Sequence, residues 1–359
     1  MKKLHVGIVG LGKISAIYLD NLSTIFSRWI TIAGVTDLVE ARVREVSERY
    51  RVPGFGDYRA MLCDKGIDLI VNLTTPKSHW ELCRDALLAG KHVYVEKPLS
   101  LTTAEAEALV LLAQERGLII GGAPDTFLGA GIQTCRKAID DGLIGEPIAA
   151  SAFMMNRGHE SWHPDPEFYY KSGGGPLFDM GPYYITALIN LLGPVEEVSA
   201  VAKKSFERRT ITSEPKQGAV IDVEVATHIA GLLTFRGGAV ATLVTSFDVW
   251  HHSMPNIEIY GSEGTLRVPD PNTFSGPVLY SKAGSSRWEE LPLLFDYTEN
   301  SRGLGVADIA WALERAAFPR AGGKLALHVV EVMEGLLKAS DLKSSVKLLH
   351  QCERPDPLR

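Results

Sequence analysis

Apolar residues in the first 120 positions come in short runs separated by amphipathic stretches. The runs are Leu4–Val9, Trp29–Thr36, Ile67–Leu73, Lys91–Val95 and Leu118–Gly121. They are rich in Val and Ile, bounded by Gly, Pro or Asp, and continuously apolar, as strands buried on both faces require. Helical patterns lie between them at Ile14–Arg28, Val39–Tyr50, Ser78–Ala89 and Thr102–Arg116. The alternation predicts βαβ units and a doubly wound parallel sheet. Gly90 and Gly117 sit where left-handed caps are wanted, and Thr102–Glu105 resembles a capping box.

The pattern changes after about residue 125. Residues 129–142 read as one more helix, and Asn156–Gly175 as a loop dense in Gly, Pro, His and aromatics. Phe178–Leu192 reads as a helix stopped by Gly193-Pro194, and 196–267 as alternating strands. The clearest pair is Val225–Phe235 and Ala239–Phe247, joined by Arg236-Gly237-Gly238 as a hairpin. Helices are expected at 306–318 and 324–340. The reading is therefore a Rossmann domain over 1–125 followed by an α+β domain over 126–359. The second domain is built on a large, mostly antiparallel open sheet, and the C-terminal helices have the option of packing back on the first.

Composition changes this picture little. A chain of 359 residues with 45% hydrophobic and 22% charged residues is an ordinary globular one, and its net charge is −6. With no basic stripe, nucleic acid is not the expected partner. No run of about 18 apolar residues exists to span a membrane. Four widely spaced cysteines, with no CxxC, fit reduced thiols in the cytoplasm. The basic start Met1-Lys2-Lys3 meets Gly7, Gly10 and Gly12 too soon for a signal-peptide core.

The first candidate chemistry is Gly10-Leu11-Gly12-Lys13-Ile14-Ser15, which follows a strand and opens a helix. Gly10 permits the tight turn, and Gly12 lets the backbone approach a pyrophosphate. Lys13 and Ile14 lead into a helix N-terminus that offers free N–H groups to the anion. The third small residue is Ser15 rather than Gly or Ala. Asp37 ends the next strand 22 residues after Ser15, close to the spacing of an acid that bonds the adenosine ribose. A carboxylate there repels a ribose phosphate, so NAD is expected over NADP. Arg42 and Arg44 read as a solvated helix face.

The fourth strand ends in Glu96-Lys97-Pro98, at the sheet edge where open α/β folds bind ligands. Together with Leu73-Thr74-Thr75-Pro76, His79 and Ala89-Gly90-Lys91-His92-Val93, this order resembles the Gfo/Idh/MocA oxidoreductases. The resemblance continues through Asp141–Glu146, Gly173–Gly181 and Ile259–Leu266. It implies NAD(P)-dependent oxidation or reduction of sugars and cyclic polyols. It implies that Thr74, Thr75, Pro76, His79, Glu96 and Lys97 belong to the cofactor site, with Lys97 beside nicotinamide and substrate oxygen. Asp179 matches the family's aspartate. Tyr183 stands where the inositol dehydrogenase branch has a catalytic histidine, as in the tyrosine-bearing branches. Asp179 and Tyr183 are one helical turn apart, so both can face one point. A tyrosine with a free pKa near 10 is a poor base unless a cation lowers it. Lys97 is the alternative base.

The stretch Gly158–Tyr170 has aromatic faces that stack on sugar rings and polar groups that bond hydroxyls. Trp162, His163, Tyr169 and, from a later segment, His251 are the expected substrate contacts. His159 and His163, four apart, raise a metal site as an alternative, but Pro164 and Pro166 argue against a helix there and no third ligand is evident, so no metal is expected. Two other functions share this fold, an NAD-dependent glycosidase acting by transient oxidation and elimination, and a non-catalytic NAD sensor. A homodimer or homotetramer through the C-terminal sheet is expected.

Overall fold

The computed structural model describes residues 3–358; Met1 and Lys2 of the basic start, and Arg359, lie outside them. The chain forms two compact units. One comprises Met1–Leu128 with Glu299–Val330, the other Gly129–Thr298 with Glu331–Arg359.

The first unit alternates as its apolar runs predict. Its elements are β1 (Leu4–Val9), α1 (Ser15–Ser23), β2 (Ile30–Thr36), α2 (Glu40–Tyr50) and α3 (Tyr58–Cys63). They continue with β3 (Leu69–Asn72), α4 (Pro76–Leu88), β4 (His92–Val95), α5 (Thr103–Glu115) and β5 (Ile120–Gly122). The five strands are all parallel, in the order β2-β1-β3-β4-β5. Every residue of β3 is buried, as burial on both faces demands. Two differences from the expected elements have local causes. Helix α1 ends at Ser23, because the Thr24 hydroxyl donates to Asp20 O at 2.6 Å and the Ser27 hydroxyl to Thr24 O at 2.7 Å. Such side chains offer the backbone an alternative to the helix. The short α3 was not expected; Asp57 starts it by accepting Ala60 N–H at 2.7 Å. At α5 the Thr102 hydroxyl accepts Glu105 N–H at 3.2 Å, one half of a capping box.

The second unit contains α6 (Ala130–Asp140), β6 (Pro147–Met155), α7 (Gly175–Leu192) and β7 (Val195–Lys203). A small ribbon, β8 (Arg208–Thr210) and β9 (Val220–Asp222), precedes β10 (His228–Phe235) and β11 (Val240–Ser246). Then come β12 (Ile257–Gly261), β13 (Gly264–Val268), β14 (Val278–Lys282) and β15 (Glu289–Leu291). Helices α8 (Leu304–Arg315) and α9 (Gly323–Leu342) separate these from β16 (Val346–Lys347). Nine strands form one sheet, ordered β15-β14-β13-β12-β6-β11-β10-β7-β16. Its pairs are antiparallel except β6 with β11, which run parallel. The expected hairpin is β10–β11. The central strand β6 was not expected: Ala149, Ala150 and Ala152 give it little strand propensity. Alternation along β10 is complete. Ile229, Gly231, Leu233 and Phe235 are buried while Ala230, Leu232 and Thr234 face outward. Gly231 admits Leu336 of α9, whose Cδ2 lies 2.6 Å from where a Cβ would stand.

Residues 299–330 complete the first unit through α8. Asp125 is fully buried, and its Oδ2 accepts Gly303 N–H at 2.9 Å and Gly305 N–H at 3.0 Å, where α8 begins. Gly305 is pressed against Tyr94, whose ring atoms lie within 2.8 Å of a Cβ position. Burial pushes the Asp125 pKa up to about 6, against the two backbone bonds and the Arg302 charge, which lower it. An acid with a raised folded pKa binds its proton more tightly when folded. It therefore stabilises the fold at pH below the ordinary carboxylate value and less as pH rises through about 6. Because one oxygen takes both bonds, Asp125→Asn keeps them and removes the titration. The melting temperature of this variant is expected to lose part of the wild-type decline between pH 4 and 6; an unchanged pH slope in thermal melts contradicts this account.

Candidate active site

Strand β1 leads into the glycine turn at the carboxyl edge of the parallel sheet. Gly10 has φ +91°, and a Cβ there would lie 2.8 Å from Leu73 C and Thr74 N, so only glycine lets the turns after β1 and β3 meet. Gly12 and Lys13 are exposed, and nothing stands within 4 Å of a Gly12 Cβ position. Ile14 is half-buried just before α1. Ser15, the unusual third residue, is buried and its hydroxyl donates to Gly12 O at 2.7 Å. Asp37 accepts Leu11 N–H at 2.7 Å on one oxygen and Val39 N–H at 2.8 Å on the other. Arg42 lies on the exposed face of α2, as expected, with Nη1 3.6 Å from the same carboxylate. An open glycine backbone at a helix N-terminus, with a fixed acceptor at the end of β2, fits the pyrophosphate and ribose of a dinucleotide.

The loops after β3 and β4 are tied together from below. Thr74 donates through N–H and Oγ1 to Asn72 Oδ1, at 3.2 and 2.7 Å. Thr75 is exposed and Pro76 opens α4. His79 is fully buried, with Nδ1 2.7 Å from Pro98 O and Nε2 3.0 Å from Thr74 O. Burial lowers its pKa. Glu96 is buried too; it accepts the Tyr18 hydroxyl at 2.7 Å and Lys97 N–H at 3.1 Å. His79 and Glu96 thus shape the loops that present Thr74 and Lys97. Lys97 itself is half-buried at the end of β4.

In the second unit the segment from 156 to 174 runs between β6 and α7. Despite its prolines it contains a helical turn, with Trp162 and His163 N–H both on His159 O at 3.3 and 3.0 Å, and a short 3-10 helix at Glu167–Tyr170. Asp179 lies in the opening of α7, 16% exposed in its side chain, and Tyr183 is buried one turn on. Asp179 Oδ2 is 3.5 Å from His159 Nε2. The His159 ring is stacked on Tyr169 at 3.6 Å and 9°, with Phe247 edge-on at 4.8 Å. Trp162 and His163 pack edge-on at 5.3 Å, and His163 meets Tyr169 at 5.3 Å. The predicted Trp162, His163 and Tyr169 are therefore one cluster. His251 is not part of it: it is exposed in the loop after β11, while its neighbour His252 reaches Met155 O at 3.0 Å.

The clamp behind this cluster has no signal in the sequence. Arg209 of β8 is buried, and its guanidinium bonds Glu160 Oε1 at 2.7 Å, Phe247 O at 2.9 Å, Arg157 O at 3.1 Å and the Asp248 carboxylate. It lies 5.4 Å from the Tyr170 ring centre and 5.0 Å from that of Phe206. The Tyr170 hydroxyl donates to Glu160, and burial, then Glu160, pushes its pKa up. The backbone after β8 adds Thr212 and Ser213 N–H on Glu160 O, and the Ser213 hydroxyl on His163 O at 2.6 Å. The ribbon fixes the aromatic segment from behind.

Residues 4–122 match the "Oxidoreductase family, NAD-binding Rossmann fold", and 132–267 the "GFO/IDH/MocA C-terminal domain". The chain is 32% identical over 250 residues to dTDP-3,4-didehydro-2,6-dideoxy-alpha-D-glucose 3-reductase of Actinomadura kijaniata, covering 67% of this chain and 68% of that one. It is 25% identical over 264 residues to myo-inositol 2-dehydrogenase of Thermotoga maritima, covering 73% and 74%. A solved levoglucosan dehydrogenase with NADH and levoglucosan superposes with a TM-score of 0.82 at 18% identity, over 97% of this chain and all of that one. An NAD-binding Rossmann unit followed by this kind of sheet domain defines an oxidoreductase of the dehydrogenase and reductase class. The chain belongs to the Gfo/Idh/MocA family.

Removing Arg209 leaves the Glu160 and Asp248 carboxylates buried without their cation. Arg209→Ala is expected to destabilise the second unit by about 3–5 kcal/mol, the usual cost of orphaning a buried ion pair. Chemical denaturation checks this, and a loss below about 1 kcal/mol contradicts the clamp.

Proposed function

We propose that this chain transfers a hydride between a nicotinamide and a hydroxyl-bearing carbon of a sugar or cyclic polyol. The observation that carries the reading is the ring cluster of Trp162, His163 and Tyr169, which the His159 ring connects to Asp179 at the opening of α7. Aromatic faces bind the apolar faces of sugar rings, while a carboxylate and imidazoles bond hydroxyls. Relatives named for inositol and sugar substrates support the same class.

Bound NAD supplies the hydride acceptor. The chain's own residues orient the substrate and handle its hydroxyl proton. Asp179 accepts a hydrogen bond from a substrate hydroxyl. Lys97 and Tyr183 are the groups assigned to the proton that leaves as the alcohol becomes a carbonyl. A cation at Lys97 favours the ionised form of a hydroxyl near it. Asp37 supports NAD rather than NADP, since its carboxylate is held at the end of β2 by two backbone N–H groups.

The open face of the nine-stranded sheet supports pairing with a second copy of the chain. Val201, Leu232 and Val240 are 70%, 51% and 43% exposed, and all stand on its outward side. Apolar residues on both faces of a sheet call for a cover on both.

Three outcomes follow. Lys97→Ala is expected to lower kcat by about 100-fold or more while NADH still binds, as fluorescence titration will show; wild-type turnover contradicts the assignment. Asp37→Ser is expected to lower the NAD-to-NADP ratio of kcat/KM by about tenfold or more, since a like-charge clash is removed; an unchanged ratio contradicts Asp37 as the selector. Leu232→Glu is expected to give monomers in light scattering where the wild type gives dimers or tetramers, and an unaltered mass rejects this face.

A further inference from the structure

By spacing His159 is half of a metal pair with His163, and the proposed function gives it no task. The structure places it differently. Its Nε2 lies 3.5 Å from Asp179 Oδ2, and its side chain is 8% exposed. The ring cannot turn freely, because Tyr169 covers one face in a near-parallel stack and Phe247 meets it edge-on. Trp162 closes a third side at 5.1 Å. Its backbone is held as well: His159 N–H donates to the Tyr170 hydroxyl at 3.3 Å, and its carbonyl accepts from Trp162 and His163. The segment carrying it is anchored by Glu160, whose side chain and carbonyl bind Arg209, Tyr170, Thr212 and Ser213.

We propose that His159 is the positioning residue of the Asp179 carboxylate, so that an aspartate–histidine pair assembled from two elements faces the substrate. This rests on the reading that Asp179 serves the hydride transfer. The geometry has two consequences. The locked ring gives one carboxylate oxygen a fixed direction, and orientation of this kind is worth a large factor in rate. Imidazole also changes charge in the neutral range, so the pair is neutral overall when His159 is protonated and carries one negative charge when it is not. Among the described residues, the titratable and charged groups of this cluster include Asp179 from α7, His163, Tyr169 and Tyr170 from its own segment and, further back, Glu160, Arg209 from β8 and Asp248 after β11. Arg209 holds both Glu160 and Asp248. Asp179 lies within ion-pair distance of the ring.

Two substitutions separate positioning from packing. His159→Phe keeps an aromatic ring for the stack and removes the nitrogens. His159→Gln keeps an N–H donor and removes the titration. Both are measured by NAD reduction on the best-used member of a panel of myo-inositol, levoglucosan, D-xylose and D-glucose, with NADH fluorescence as a control for fold and cofactor binding. In His159→Phe, kcat is expected to fall about 10- to 100-fold with KM within about twofold, the scale on which a misplaced group acts. In His159→Gln, most of kcat returns, and the inflection expected in the wild-type pH profile of kcat/KM from an imidazole beside the carboxylate is missing. Wild-type kcat and pH profile in His159→Phe overturn the inference, because the ring is then only packing. If the Phe variant does not fold, an intact inflection in His159→Gln overturns it alone. Asp179→Asn distinguishes the two readings. Loss of turnover there with no effect at His159 rejects the pair but keeps the function; wild-type turnover in Asp179→Asn rejects the role of Asp179 and with it the pair, while the function itself is rejected by a wild-type protein that reduces NAD with no member of the panel.

Discussion

A parallel sheet covered on both faces has no room for unpaired polar groups within it, so its chemistry gathers where the strands end. The first unit follows this constraint throughout. The ends of β1, β2, β3 and β4 carry Gly10 to Ile14, Asp37, Thr74 and Lys97. The polar residues just inside that edge are bonded to one another or to the backbone. His79 links Thr74 O to Pro98 O, Glu96 links Tyr18 to Lys97 N, and Asn72 holds Thr74. The edge is thus preorganised from below, and its exposed backbone is left for a ligand.

The second unit solves a different problem with a buried cation. Its large sheet is covered on one side by α7 and the later part of α9, and the segment before α7 has little regular structure to hold it. Arg209 supplies the missing constraint by bonding two carboxylates and two carbonyls from segments that do not adjoin in sequence. Such a clamp adds little net stability relative to an apolar core, but it is costly to break and specifies one arrangement. The rings of His159, Trp162, His163 and Tyr169 inherit that arrangement.

The legible part of this molecule is the part governed by local rules. All five parallel strands, the β10–β11 hairpin and the helices around α7 follow from runs of apolar residues and from glycine and proline. Gly10, Asp37 and Lys97 stand where their spacing puts them, at strand ends. The illegible part depends on partners remote in sequence. β6 is alanine-rich and becomes a central strand only because β11 and β12 flank it. Arg209 looks like any charged residue until Glu160 and Asp248 are brought to it. His159 pairs with a carboxylate 20 positions away rather than with His163, and residue types alone could not distinguish those two.

The central claim is net hydride transfer from a hydroxyl-bearing carbon. The most direct measurement is the NADH absorbance band during incubation of the protein with NAD and a panel of sugars, inositols and glycosides, with the organic product analysed in the same samples. The account predicts that NADH accumulates mole for mole with a carbonyl product from at least one sugar or polyol. Release of an aglycone with no net NADH, or NAD binding with no turnover across the panel, would contradict it.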